Sequence, residues 1–232
     1  MKRLLGSLVL VAVVAASGFA AEAPAKMSEK EQVGYSYGYM NGSQMKAQGI
    51  DLPLEKILEG LRAGYLGEKS AVSEQDMRKS LDTFRKEIMA KRAEEMKKAG
   101  EQNKKDGEAF LAENKKKDGI VTTVTGLQYK VLTAGKGKQP TADDTVKVHY
   151  RGALLNGTEF DSSIKRGQPA TFAVKGIIPG WQEALQLMKE GDKWQLFIPS
   201  HLAYGERGAP PMIGPNQTLQ FDVELLEVMP KK

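Results

Sequence analysis

The sequence predicts an α+β protein: an all-α N-terminal part, a long connecting helix, and a C-terminal antiparallel β domain built around one short helix. Three observations lead there. From Ser28 to about Lys117 proline occurs once, at Pro53, and helix-favouring residues dominate. After Asp118-Gly119 the apolar residues switch to alternation, the period of a half-buried strand. Beyond that switch only Pro179 to Met188 returns to helical spacing. With 232 residues, 41% hydrophobic and 27% charged, the chain has room for one large or two smaller cores.

Composition also excludes function classes. The absence of cysteine removes a disulfide scaffold, a thiol nucleophile, a Cys-ligated zinc site and a lipidated cysteine. With His149 and His201 alone, a His-rich metal site is excluded too. The net charge is +5, two of it from Lys2 and Arg3, which is too mild to imply nucleic acid.

Taken in order, Met1-Lys2-Arg3 is a short basic start, Leu4 to Ala16 an apolar run, and Gly18 and Ala20 small residues at −3 and −1 of a cleavage site. That is the order of a secretory signal peptide over residues 1–20. The rival, an uncleaved anchor, is disfavoured by Gly6, Ser7, Ser17 and Gly18 and by the lack of a basic flank behind the run. The mature chain is therefore expected outside the cytoplasm, most simply in the periplasm, or at the outer membrane or surface, with no membrane span left.

Residues 21–72 are expected to hold two helices. The first runs from about Ser28 to Gln48 with Gly49 as its stop. The second follows Asp51, has Pro53 in its first turn, and carries Leu54, Ile57, Leu58, Leu61 and Tyr65 on one face. In the first, Gly34, Gly38 and Gly42 recur every four residues and would let another backbone come close. Packing within one chain and a subunit interface both explain them; Tyr35, Tyr37, Tyr39, Met40 and Met45 favour the interface.

A third helix over residues 73–118 opens with a capping-box pattern, Ser73 with Asp76. Its stripe of Met77, Leu81, Phe84 and Ile88 thins out after Lys91. Between Glu74 and Asp118 stand 13 basic and 11 acidic residues, a solvated face with charge pairs. Such a polar rod reads as a spacer, with Gly100 and Gly107 as points of bending or fraying.

In residues 119–232, Leu127 to Val131 and Val146 to Arg151 alternate, and Asn156-Gly157 is a strong hairpin signal. Pro179 to Met188 forms the short helix, with Trp181, Leu185 and Met188 facing inward and Gly191 as a stop. Lys193 to Ile198 and Thr218 to Val228 are further strands.

Five segments of this region occur in order: Val148-His149-Tyr150, Gly157 to Ser163 (GTEFDSS), Ile178-Pro179-Gly180-Trp181, Leu202-Ala203-Tyr204-Gly205, and Leu219 to Leu225 (LQFDVEL). Together they closely resemble the FKBP-type peptidyl-prolyl isomerases over roughly residues 120 to 229. The helical part is similar to the exported dimeric members, the macrophage infectivity potentiator-like subgroup. The resemblance implies a half-barrel sheet wrapped around one helix and a homodimer made by the N-terminal helices. It implies isomerisation of X-Pro bonds in unfolded or partly folded polypeptides, no cofactor, and macrolides as candidate inhibitors.

By the same resemblance Tyr150, Phe160, Trp181 and Phe221 line an apolar pocket, with Trp181 as its floor. Ile177, Ile178 and Ile213 are its walls and Phe172 lies nearby. Asp161 places a carboxylate beside the substrate carbonyl, and the Tyr204 hydroxyl and Ile178 N–H donate to substrate carbonyls. Arg166, five residues after Asp161, would orient it as an ion pair. Taken singly, the rings read as core, Asp161-Ser162-Ser163 as a turn cap and Tyr204-Gly205 as a loop; the ordered set reverses this. His149 is expected at the surface and His201 in a loop without a role. Ala170, Ala209 and Met212 to Pro215 depart from the family pattern and bear on the rim and on macrolide affinity. A chaperone that clamps unfolded chains, its isomerase activity incidental, is the alternative function.

Overall fold

The computed structural model describes residues 27–229. The expected leader, residues 1–20, lies outside the described residues. The chain divides into two units after Ser73.

The first unit contains α1 (Glu29–Ala47) and α2 (Leu54–Leu66). Ser28 caps α1. Its hydroxyl accepts the Glu31 N–H, and the Glu31 carboxylate accepts the Ser28 N–H at 2.8 Å. This reciprocal pair satisfies two of the donors that a helix start leaves open. At the far end Gly49 turns left-handed at φ 68°, where a side chain would be strained. Pro53 is the N-cap of α2, one place earlier than its expected first turn. Neither helix buries a residue. A methyl group added at Gly34, Gly38 or Gly42 would meet nothing within 4 Å.

The second unit starts with α3 (Glu74–Asn114), whose 41 residues span about 60 Å. It begins directly after Ser73. Up to Met96 its apolar positions are mostly open, Met77, Leu81, Met89 and Met96 being exposed. From Gly100 onward the helix is not the free spacer that its polar composition predicts. Gly100, Gly107 and Asn114 recur every seven residues, so they share one face, and all three are buried. A Cβ at Gly100 would stand 3.1 Å from Pro215 Cβ, and one at Gly107 2.3 Å from Thr218 Oγ1. The glycines are therefore docking points, where helix backbone meets the β domain, not points of fraying. Asn114 Nδ2 donates to Gln128 Oε1 at 3.0 Å, Gln128 Nε2 donates to the Leu111 carbonyl at 2.9 Å, and the Phe110 ring lies 5.6 Å from that of Phe197. Joined to the β domain by buried polar bonds, the seam shows no apolar stripe.

The β domain has β1 (Ile120–Thr122), β2 (Gln128–Thr133), β3 (Thr145–Leu154), β4 (Glu159–Ser162), β5 (Ala170–Ala173), β6 (Lys193–Ile198) and β7 (Leu219–Met229). The sheet order is β1-β2-β6-β7-β3-β4, with β5 also on β3, and every pairing is antiparallel. β1 and β5 were not expected; three or four residues are too few to display a period. The hairpin at Asn156-Gly157 forms as read, with Gly157 at φ 85° and the Leu154 N–H on the Thr158 carbonyl at 2.9 Å.

The one α-helix of this domain, α4 (Pro179–Leu187), packs on the sheet. Trp181, Ala184, Leu185 and Met188 are buried with Val146, Val148, Leu196, Ile198, Leu219 and Val223. Gly180 permits the approach: a Cβ there would lie 2.5 Å from Ile198 Cγ2. At about 25 cal/mol per Å² of apolar surface removed from water, this cluster is the main favourable contribution to the domain.

Candidate active site

A cavity of about 420 Å³ opens where α4 meets β3, β4 and β7. Ten residues line it: Tyr150, Phe160, Asp161, Phe172, Gly176, Ile177, Ile178, Trp181, Tyr204 and Phe221. Nine are expected site residues. The tenth, Gly176, has no local signal in the sequence.

Trp181 comes from the first turn of α4. Three rings stand nearly upright to its indole: Tyr150 at 90°, Phe172 at 81° and Phe221 at 83°, with centroids 5.3–5.9 Å away. Phe160 then stands edge-on to Phe221 at 84° and 5.5 Å. Edge-to-face packing is what the ring quadrupoles prefer, so the walls brace one another without filling the space between them.

Backbone pairing sets this up. Gly152 of β3 lies opposite Phe221 of β7 and opposite Asp161 of β4. A Cβ at Gly152 would come within 2.7 Å of both the Phe160 and Phe221 rings, so the absent side chain makes room for two aromatic ones. Consecutive strand residues face opposite ways, yet Phe160 and Asp161 both line the cavity. The register break between Gly152 and Ala153 lies beside them, the kind of irregularity that re-aims a side chain.

Asp161 is held from two sides. The Tyr150 hydroxyl donates to Oδ2, and the Arg166 guanidinium pairs with Oδ1. Arg166 Nη2 also donates to the Tyr150 oxygen at 3.0 Å, closing a triangle. Arg166 does not line the cavity; it reaches it by its contacts with these two residues, the Asp161 pair being the one its spacing suggests. Burial works to raise the Asp161 carboxyl, but the bonds from Tyr150 and Arg166 outweigh it and hold the group below the ordinary carboxylate range. Burial and the bond to Asp161 push the Tyr150 phenol upward. At neutral pH the triangle is thus carboxylate, neutral phenol and guanidinium.

Ser163, fully buried, fixes this corner from beneath. Its hydroxyl accepts the Tyr150 N–H at 2.8 Å and lies 3.1 Å from His149 Nδ1. Ser162 Oγ accepts the Lys165 N–H at 3.2 Å, a turn-cap bond within this segment. His149 is half-buried rather than fully at the surface. His201 is exposed and bonds the Thr125 carbonyl at 3.0 Å.

Ile213, the other expected wall residue, is not among the ten lining residues; it is buried in the same core cluster as Tyr150, Trp181 and Phe221. Paired backbone bonds with Ala209, at 2.8 and 3.0 Å, fold its segment back on itself. Ile178 is the N-cap of α4, where backbone N–H groups lack intrahelical acceptors, and Gln182 Nε2 holds the neighbouring Ile177 carbonyl at 2.6 Å. Tyr204, 40% exposed, stands at the rim. Among the described residues no cluster of three or more His, Asp or Glu is placed to hold a metal ion.

Chemically the site offers an aromatic hollow, a fixed carboxylate and donors at the rim. It brings together no nucleophile and base.

Residues 136–226 match the model of the FKBP-type peptidyl-prolyl cis-trans isomerases, and residues 30–131 that of the domain amino-terminal to them. The peptidyl-prolyl cis-trans isomerase Mip of Coxiella burnetii is 48% identical over the full length of both chains. The outer membrane protein MIP of Legionella longbeachae is 43% identical over 98% of each. The crystal structure of FkpA from Escherichia coli superposes with a TM-score of 0.68 at 38% identity, covering 89% of this chain and 99% of that one. The chain belongs to the FKBP-type peptidyl-prolyl cis-trans isomerases, in the Mip-like subgroup.

Proposed function

We propose that this isomerase turns X-Pro bonds by seating the proline ring on Trp181, between the upright rings of Tyr150, Phe172 and Phe221. The observation that carries this reading is an open aromatic cavity with the Asp161 carboxylate fixed at its side. Amide resonance opposes rotation by roughly 18–20 kcal/mol, whereas cis and trans X-Pro differ by only about 1 kcal/mol, so the obstacle is kinetic. In the twisted transition state the carbonyl loses resonance-derived charge. A dry apolar hollow favours that less dipolar form over the planar one. Fixed donors, the Tyr204 hydroxyl and the Ile178 N–H, hold the flanking carbonyls in the twisted geometry. Asp161, kept ionised and immobile by Tyr150 and Arg166, faces the rotating carbonyl. No proton is removed and no covalent bond forms.

Around this chemistry stands a larger assignment. The leader exports the chain, and the enzyme serves polypeptides folding outside the cytoplasm. The unburied faces of α1 and α2 are covered by a second copy, giving a dimer with two sites. Its support is Tyr35, Tyr37, Tyr39, Leu58, Leu61 and Tyr65, all more than half exposed, beside glycines with open space next to them. Two linked sites on one client gain avidity. The same cavity would take macrolides.

The test is exchange of an X-Pro peptide by the full chain. Tyr204→Phe and Asp161→Asn are expected to slow turnover at least roughly tenfold without unfolding, the size of a lost transition-state donor. Wild-type rates in both would sink the assignment. Suppression of client aggregation that survives in the slow variants would place holding apart from catalysis.

A further inference from the structure

We infer that Asn216 and Asn103 are positioning residues for Tyr204, and that through them the docked end of α3 holds the rim of the proline cavity in place. The inference rests on the proposed donor role of Tyr204.

Tyr204 lies in the irregular connection between β6 and β7, residues 199–218. This segment has only short 3-10 turns and the two-residue bridge of Ala209 with Ile213, so no sheet ladder fixes Tyr204. Close before it, the Ala203 N–H bonds the Ser200 carbonyl at 2.9 Å; after it, the Gly208 N–H reaches the Tyr204 carbonyl at 3.2 Å. Those are bonds within the loop; on the side of the sheet, His201 bonds the Thr125 carbonyl at 3.0 Å and Leu202 and Ala203 pack against the core.

Asn216 supplies the tie to α3. Its backbone N–H donates to the carbonyl of Gly205, the residue peptide-bonded to Tyr204, at 2.8 Å. Its side-chain Nδ2 donates to the Gly100 carbonyl of α3 at 3.3 Å. One turn on, Asn103 Nδ2 donates to the Pro215 carbonyl at 2.8 Å. Two links therefore separate a 41-residue helix from the rim tyrosine.

Two further features mark the contact as specified. Asn216 has φ 55°, the one non-glycine residue in the left-handed region among the described residues. Asparagine tolerates that region better than most, and a residue stays there when its surroundings over-determine it. Gly100 gives the approach: a Cβ would stand 3.1 Å from Pro215 Cβ and 3.4 Å from Asn216 Nδ2. A donor misplaced by about 1 Å can lose a large part of its catalytic effect, so a mobile rim would waste the Tyr204 hydroxyl.

The experiment is a set of full-length variants: Asn216→Gly, which keeps the left-handed backbone accessible, Asn103→Ala, and each combined with Tyr204→Phe. Turnover of an X-Pro peptide and the NMR signals of the Tyr204 ring, identified by their loss in Tyr204→Phe, are read together. Asn216→Gly and Asn103→Ala should each cost about tenfold in kcat/KM, mostly in kcat. In the Tyr204→Phe background the same changes should cost less than about twofold, because their effect passes through the hydroxyl already removed. The Tyr204 ring signals should shift or broaden in both variants while the Trp181 indole signal stays. Equal losses in both backgrounds would overturn the proposal, as would unchanged Tyr204 signals. If Tyr204→Phe alone turns over at the wild-type rate, the donor reading fails, and the ring signals decide the brace: movement supports it, and stillness overturns it. Should one asparagine variant melt early, the other carries the comparison.

Discussion

Asp161, Tyr150 and Arg166 form a unit whose charge state is locked over a wide pH range. The folded Asp161 carboxyl lies below its ordinary value. The stability its bonds contribute is thus present above the unfolded value, about 4, and is lost as pH falls through the lower folded value. Tyr150 runs the other way: its folded value is raised, so its contribution is present below about 10 and lost as pH rises through the folded value. Between these limits nothing in the triangle titrates. Turnover should therefore be flat from roughly pH 6 to 8, the range in which only an essential histidine would ordinarily ionise. A bell-shaped kcat/KM profile belonging to the enzyme would contradict this. Gly152→Ala makes a steric prediction at the same scale. The added methyl must displace Phe160 or Phe221, at a cost of about 1–3 kcal/mol, and should depress turnover as well as the melting temperature. Tyr150, Phe160, Trp181, Tyr204 and Phe221 were legible in the ordered motifs, because each sits in a distinctive local sequence; Phe172 lies outside those five segments. Gly152 and Ser163 were not legible, since their work depends on which strand lies opposite, and Gly176, in a 3-10 turn, carries no local signal. Ile213, expected as a wall from the resemblance alone, is buried in the cluster that holds Tyr150, Trp181 and Phe221, with its backbone folded back on Ala209.

Among elements, α4, β6 and β7 carry clear periods and were readable within a residue; β3 runs on three residues past the alternation read as far as Arg151. The docking of α3 was not readable. Its seam is built from two glycines and one asparagine at seven-residue spacing, while hydrophobic periodicity weighs only what apolar side chains bury. The consequence is measurable. A chain beginning at residue 119 would lose Gly100, Gly107, Phe110 and Asn114 and strand the Gln128 amide, a buried polar group bonded to both Asn114 and Leu111. Such a loss costs about 1–3 kcal/mol. Thermal melts should place that fragment clearly below one beginning at Glu74. Gly107→Ala should mimic part of the loss in the full chain, because its methyl would be driven into Thr218. Equal melting of the two fragments would remove α3 from the domain's support.

For the whole molecule, the division after Ser73 separates the cavity from the unburied helices α1 and α2. The proposed dimer then makes a clean prediction. A chain beginning at Glu74 should sediment as a monomer and turn over X-Pro peptides at the full per-site rate. Leu61→Glu, placing a charge on the open face of α2, should do the same in the full-length protein. A monomeric wild type, or a dimeric fragment, would sink the interface. Glycine at 100 and 107 also constrains how this protein can drift over time. At 107 bulk cannot be gained unless Thr218 gives way, and at 100 Pro215 must yield by a few tenths of an ångström. Aligned relatives should therefore change residues 107 and 218 as a pair, a trace of the helix-to-sheet join left in inheritance rather than in any one chain.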